Sequence, residues 1–209
     1  MFENFFKNKK VMVLGHTGFK GAWLSQWLIS LGAKVIGISS YVPSSPSMYE
    51  ALGLKQKMNE YNIDITNYTD LQQVFNILRP EIVFHLAAQP IVSKSYKCPK
   101  LTFDTNIGGT VNVLEAIKST DSVLSSIIIT SDKCYENVEW EFGYRETDKL
   151  GGRDPYSASK ACAEIAVNAY YHSFFKGSSK SIASVRAGNV IGGGDWAENR
   201  IVPDCVRAW

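Results

Sequence analysis

Tyr156 and Lys160 stand four residues apart in Tyr156-Ser157-Ala158-Ser159-Lys160, and a stretch poor in turn formers continues to Tyr171. On a helix that spacing puts phenol and ammonium on one face. A cation beside a phenol favours the phenolate and lowers a pKa that is otherwise about 10, giving a base usable near neutral pH. A second cluster, Thr130-Ser131-Asp132-Lys133-Cys134-Tyr135, directly follows the apolar run Ile127-Ile128-Ile129. A hydroxyl, a carboxylic acid and an amine in succession can polarise a carbonyl, donate a proton and accept one, although Ser-Asp-Lys alone also suits a solvated turn. The third cluster is Gly15-His16-Thr17-Gly18-Phe19-Lys20-Gly21. Its glycines permit a tight turn and let backbone approach a pyrophosphate resting on a helix N-terminus.

These clusters need a frame, and the sequence supplies one. Short apolar runs predict strands over 10–14, 34–39, 61–65, 82–86, 125–130 and 182–187. Helical patterns cover 19–31, 69–78, 101–118 and 156–175, and a last helix starts near Pro203. Trp23, Trp27, Leu28 and Leu31 mark the apolar side of the first helix. Alternating strands and helices predict an α/β fold, a doubly wound parallel sheet of the Rossmann type. Ligands in such a sheet bind beyond the carboxyl ends of the strands, where all three clusters fall.

Composition narrows the function. With 209 residues, 45% hydrophobic and 20% charged, the chain can bury one full core. A net charge of +2 gives no electrostatic case for nucleic acid or a membrane surface. No apolar stretch nears the roughly 20 residues that span a bilayer, and the start, Met1 to Lys7, lacks the long apolar region of a secretion signal. Cys98, Cys134, Cys162 and Cys205 form no C-x-x-C pair, and no histidine is spaced to complete a zinc site, so no metal centre is expected. Unpaired thiols fit a cytoplasmic enzyme.

The glycine turn and the Tyr-x-x-x-Lys pair, in this order and separation, resemble the extended short-chain dehydrogenase/reductase family over nearly the whole chain. The resemblance implies NAD as cofactor, bound by Gly15, Thr17, Gly18, Phe19, Lys20 and Gly21. It also implies that Asp64 and Ile65 close a strand beside the adenine and that Leu86, Ala87 and Ala88 pass beneath the cofactor. Thr105, with Asn106, falls in the next helix, and Tyr156 and Lys160 meet the nicotinamide end. Ser131-Asp132-Lys133 is similar to the corresponding segment of the sugar-nucleotide 4,6-dehydratases, where most members have threonine for Ser131 and glutamate for Lys133. Asp-Lys, the glycine turn and the stretch Arg186 to Trp196 look like the branch that acts on CDP-glucose in deoxysugar and O-antigen biosynthesis. That implies oxidation at C4 of the sugar by Tyr156 and NAD, removal of the C5 proton by Lys133, and loss of the 6-hydroxyl with a proton from Asp132. Ser131 would hold the 4-oxygen and Lys160 the nicotinamide ribose; a lysine base would need desolvation or a nearby cation. Asn189 and Arg200 match positions that meet the nucleotide-sugar diphosphate. The family also implies a homodimer through four helices, here offering Val111, Leu114, Ile117, Ala161, Ile165 and Val167.

Several features stand apart. The second strand ends in Ser39-Ser40, without the acidic residue NAD-preferring folds place against the ribose. His16 either touches the pyrophosphate or packs, and His85 and His172 read as structural. Residues 1–190 are expected to form the NAD-binding domain with the catalytic residues, and 191–209 to begin a nucleotide-sugar domain that continues in the family. An epimerase or reductase of the same family, or a non-catalytic NAD-binding module, is the alternative; Asp132-Lys133 argues against the epimerase.

Overall fold

In the computed structural model, residues 2–209 are described. Six strands form one parallel sheet: β1 (Lys10–Leu14), β2 (Lys34–Ser39), β3 (Asn59–Asn62), β4 (Ile82–His85), β5 (Ser125–Ile129) and β6 (Ser181–Val185). Their order is β3-β2-β1-β4-β5-β6. The order reverses between β1 and β4, where Leu14 pairs with His85, and this opens a crevice at the carboxyl ends. The helices are α1 (Phe19–Ser30), α2 (Met48–Ala51), α3 (Tyr68–Leu78), α4 (Val92–Lys97), α5 (Pro99–Phe103), α6 (Gly109–Ser119), α7 (Pro155–Tyr170) and α8 (Ile201–Ala208).

Alternation along β1 shows why the sheet is covered twice. Met12 and Leu14 join Leu71, Phe75, Leu114, Ile117 and Val167 from α3, α6 and α7 in one core. Val11 and Val13 face the other way and pack with Leu28 of α1. Successive strand residues point to opposite faces, so a run apolar at every position must be buried on both.

Three expectations are corrected by the packing. The third strand runs over Asn59–Asn62, not 61–65. It is a polar edge strand, and the chain leaves the sheet where the Asp64 carboxylate accepts from the Thr66 N–H (2.9 Å) and hydroxyl (2.8 Å). Asp64 and Ile65 therefore lie past the strand. Trp23 and Trp27 are exposed; α1 instead buries Gly21, Ala22, Ser25 and Leu28, whose small members bring the helix close to the sheet. Leu114, Ile117, Ala161 and Val167 are buried within the chain and are not available to a second copy. The helix expected over 101–118 runs from α5 to α6 through a wider π-type turn at Asp104–Gly108, and α7 ends in another at Tyr171–Phe175.

Candidate active site

The turn between β1 and α1 needs glycine at two positions. Gly15 has φ +90°, and a Cβ there would lie 2.7 Å from the Ala87 nitrogen. A Cβ on Gly21 would lie 2.0 Å from the Gly15 carbonyl oxygen. Gly18 is looser, its nearest neighbour being that same oxygen at 3.3 Å. It starts α1 with no side-chain cap and no acidic residue in the first turn, so the positive end of the helix is open to an anion. Thr17 donates its hydroxyl to the Tyr41 carbonyl (2.6 Å), and Phe19 is half-buried. Ala87 backs Gly15 between Leu86 and Ala88, so only small groups separate the turn from the end of β4. A glycine-lined approach beside an uncapped helix end fits a dinucleotide pyrophosphate.

His16 packs. Its ring is 2% exposed, with Nδ1 3.1 Å from Ser39 Oγ and Nε2 3.3 Å from Glu60 Oε2. Burial lowers its pKa against the opposing pull of the Ile38 backbone and Glu60.

Across the crevice, Asp154 caps α7 by accepting from the Ser157 N–H (3.0 Å), and Pro155 occupies the first turn. This fixes Tyr156 and Lys160, both buried, on the face towards the sheet. Their electrostatics differ from the simple sequence picture. Burial raises the Tyr156 phenol, while the Ser131 hydroxyl and then Arg200 pull it down. Lys160 is itself pushed down to about 8, by burial first and then by the Lys20 ammonium. Lys20 is lowered by burial and by Arg200, with Asp132 acting in the opposite sense. Ser131, Asp132, Tyr156, Lys160, Lys20 and Arg200 therefore converge on one space at the carboxyl ends of β1, β4 and β5.

Ser131 is buried at the end of β5, where its hydroxyl donates to Asp132 Oδ1 (3.0 Å) and accepts from the Lys133 N–H (3.3 Å). The Asp132 N–H donates to the Ala187 carbonyl (3.0 Å), tying this turn to the segment after β6. Asp132 and Lys133 are exposed and border an open cleft of about 850 Å³ with Tyr135, Arg153 and Ser157. Lys133 is exposed, so of the two conditions for a lysine base, desolvation or a nearby cation, the first is not met here. Arg200 precedes α8 with its Nε buried and without a hydrogen-bond partner, whereas Asn189 is exposed.

Sequence reading names Asn106 with Thr105 by position only and does not recognise Glu164 at all, yet both build the site. Asn106 is buried and joins three pieces: its Oδ1 accepts from the Gln89 N–H (2.8 Å), and its Nδ2 donates to the Gln89 carbonyl (3.1 Å) and to Ser159 Oγ (2.9 Å). Thr105 beside it is half-buried, and Ile65 lies under α6, where a Cβ on Gly109 would meet it at 2.5 Å. Buried Glu164 gathers Thr130, Ser184 and Arg186. A glutamate four residues beyond Lys160 on the same face was the available sign.

Comparison with known proteins agrees with this geometry. The profile of the GDP-mannose 4,6 dehydratase family matches residues 12–190. A CDP-glucose 4,6-dehydratase of Salmonella typhimurium is 48% identical over 99% of this chain and 59% of its own length. A UDP-glucose 4-epimerase from Thermotoga maritima, solved with UDP-glucose, superposes with a TM-score of 0.82 at 26% identity, over 93% of this chain and 61% of that one. A Thermus thermophilus UDP-glucose 4-epimerase in complex with NAD gives 0.78 at 26% identity, over 90% and 58%. The chain thus spans about three fifths of the length of these proteins.

Proposed function

The chain belongs to the GDP-mannose 4,6 dehydratase family, and from that premise we propose that it is the NAD-binding and catalytic part of a CDP-glucose 4,6-dehydratase that acts in the cytoplasm. The observation that carries this reading is the pairing of Tyr156 and Ser131 at the crevice with Asp132 and Lys133 turned to the open cleft beside it. The turn Gly15 to Gly21 with Thr17, Phe19 and Lys20, together with Asp64, Ile65, Leu86, Ala87, Ala88, Thr105 and Lys160, would hold NAD, which when bound would supply an acceptor for the C4 hydrogen and a donor to C6.

The protein's own groups handle the protons. Tyr156 takes the proton of the sugar 4-hydroxyl, and Ser131 hydrogen-bonds the oxygen that becomes a carbonyl. A carbonyl at C4 acidifies C5–H, and Lys133 is assigned to remove that proton. This requires bound substrate to exclude water from its exposed amine or to bring a cation beside it. Asp132 then protonates the 6-hydroxyl, which leaves as water. An epimerase needs only the first pair, so the exposed acid and amine favour elimination. Arg200, with an unpartnered Nε, and Asn189 are assigned to the diphosphate, where a guanidinium suits phosphate geometry. Residues 191–209 are assigned to the start of the nucleotide-sugar part.

We assign the exposed Leu101, Ile165 and Phe174 to a face that packs against a second copy. For the reaction, incubation of CDP-glucose and NAD with a protein of the relatives' length containing this chain gives a sugar carrying a 6-methyl group and a 4-carbonyl, read by NMR. Formation of the C4 epimer with an intact 6-hydroxymethyl group contradicts the assignment.

A further inference from the structure

Glu164 lies one helical turn beyond Lys160 and is 4% exposed. Its carboxylate accepts from the hydroxyl of Thr130, from Ser184 Oγ at 2.9 Å and from Arg186 at 3.0 Å. Thr130 is the residue immediately before Ser131-Asp132-Lys133, and its N–H is anchored to the Val185 carbonyl (2.9 Å). Arg186 continues the chain of contacts: its guanidinium lies 4.8 Å from the Tyr135 ring centroid and donates to the Glu146 carbonyl (3.0 Å). Tyr135 stacks on Tyr144 with centroids 5.1 Å apart. One carboxylate thus connects the helix of Tyr156 and Lys160, the ends of β5 and β6, and the loop that walls the cleft.

We propose that Glu164 is a positioning residue, tying the root of the Ser131-Asp132-Lys133 turn to the helix that carries Tyr156 and Lys160 and setting the charge around Lys160. A purely structural role fits these contacts less well. A buried ion pair contributes little net stability compared with an apolar replacement, because the desolvation cost offsets the attraction. Three donors converge here on a single carboxylate next to the reacting groups. Burial pushes the Glu164 carboxyl up, but the Arg186, Thr130 and Ser184 hydrogen bonds together bring it below its ordinary value, so it stays ionised. The charged and titratable groups coupled to Lys160 are Lys20 from α1, His85 from β4 and Glu164 from α7 itself, with Tyr156 one turn before it on the same helix. Glu164 is the anion among them that supports the ammonium against burial and Lys20.

The proposal rests on the dehydratase reading for its turnover measurement only; the titration of Lys160 needs no substrate. Competitive acetylation read by mass spectrometry follows the Lys160 midpoint in the parent, Glu164→Gln and Glu164→Asp. Glu164→Gln lowers that midpoint by about one pH unit and lowers kcat about tenfold or more with KM little changed. Glu164→Asp keeps the charge but falls short of Thr130, so the midpoint holds while kcat drops. Thr130→Val, which removes one donor and leaves every charge in place, repeats the Asp pattern and serves where Glu164→Gln does not fold. An unmoved Lys160 midpoint in Glu164→Gln, or parental kcat in Thr130→Val, overturns the proposal. A parent that binds NAD but never dehydrates CDP-glucose defeats the dehydratase reading instead, and the Lys160 titration still decides the role of Glu164.

Discussion

At the scale of single residues, His85 and Tyr156 show how the crevice uses burial. His85 has its Nε2 3.1 Å from Thr110 Oγ1, and burial and then the Lys160 ammonium push its pKa down to about 3. Below pH 6.5 the unfolded chain binds a proton at this ring while the folded chain does not. Stability therefore falls as pH drops from 6.5 towards 3, by at most about 1.4 kcal/mol per pH unit from this group. Thermal or urea melts of the parent and His85→Gln across that window check it: the variant has a shallower slope. Tyr156, raised by burial, makes turnover fall as pH drops, and Tyr156→Phe lowers kcat by about 10²–10⁴-fold. The catalytic types and their spacing were readable in the sequence because they repeat as short motifs. The sign of the Tyr156 shift was not, because it depends on burial, Ser131 and Arg200. Those neighbours come from distant parts of the chain.

Among the elements, the strand–turn–helix at the N-terminus gives the sharpest contrast. A Cβ on Gly18 would meet the Gly15 carbonyl oxygen at a tight 3.3 Å, which a small shift can relieve, whereas a Cβ on Gly21 would lie 2.0 Å from that same backbone oxygen. Gly18→Val keeps the fold and weakens NAD binding, measured by calorimetry. Gly21→Ala lowers the melting temperature, with a cost that exceeds about 3 kcal/mol if the helix cannot shift. Equal NAD affinity in Gly18→Val and parent contradicts the pyrophosphate assignment. β1, β2, β4 and β5 were legible because parallel strands inside the sheet read as apolar runs, and the edge strand β6 was legible from Ile182, Ala183 and Val185 although none of its residues is fully buried. The edge strand β3 (Asn-Glu-Tyr-Asn) has no such run, so the apparent strand slid to the apolar Ile63 and Ile65 beyond it. The outward Trp23 and Trp27 misled for a related reason: size suggests burial, yet Trp23 instead donates to the Gly193 carbonyl at 3.0 Å.

For the whole molecule, association and reaction are the two claims. Leu101 on α5 is 46% exposed and Ile165 on α7 is 56% exposed, while Ala161, Ala163 and Val167 of α7 are buried. Burial of such residues stabilises a pair of copies by about 25 cal/mol per Å² before the cost of association. Leu101→Glu with Ile165→Glu shifts a dimer to monomer in sedimentation equilibrium without lowering the melting temperature at low concentration; a monomeric parent at high concentration contradicts the assignment. The reaction is tested most directly by one stopped-flow comparison of parent, Lys133→Ala and Tyr156→Phe after mixing with CDP-glucose, in protein of the relatives' length. The absorbance of reduced nicotinamide is followed. The account predicts that it builds up in Lys133→Ala, where C4 is oxidised but the C5 proton stays, and that none appears in Tyr156→Phe. Turnover of Lys133→Ala at the parent rate would contradict it.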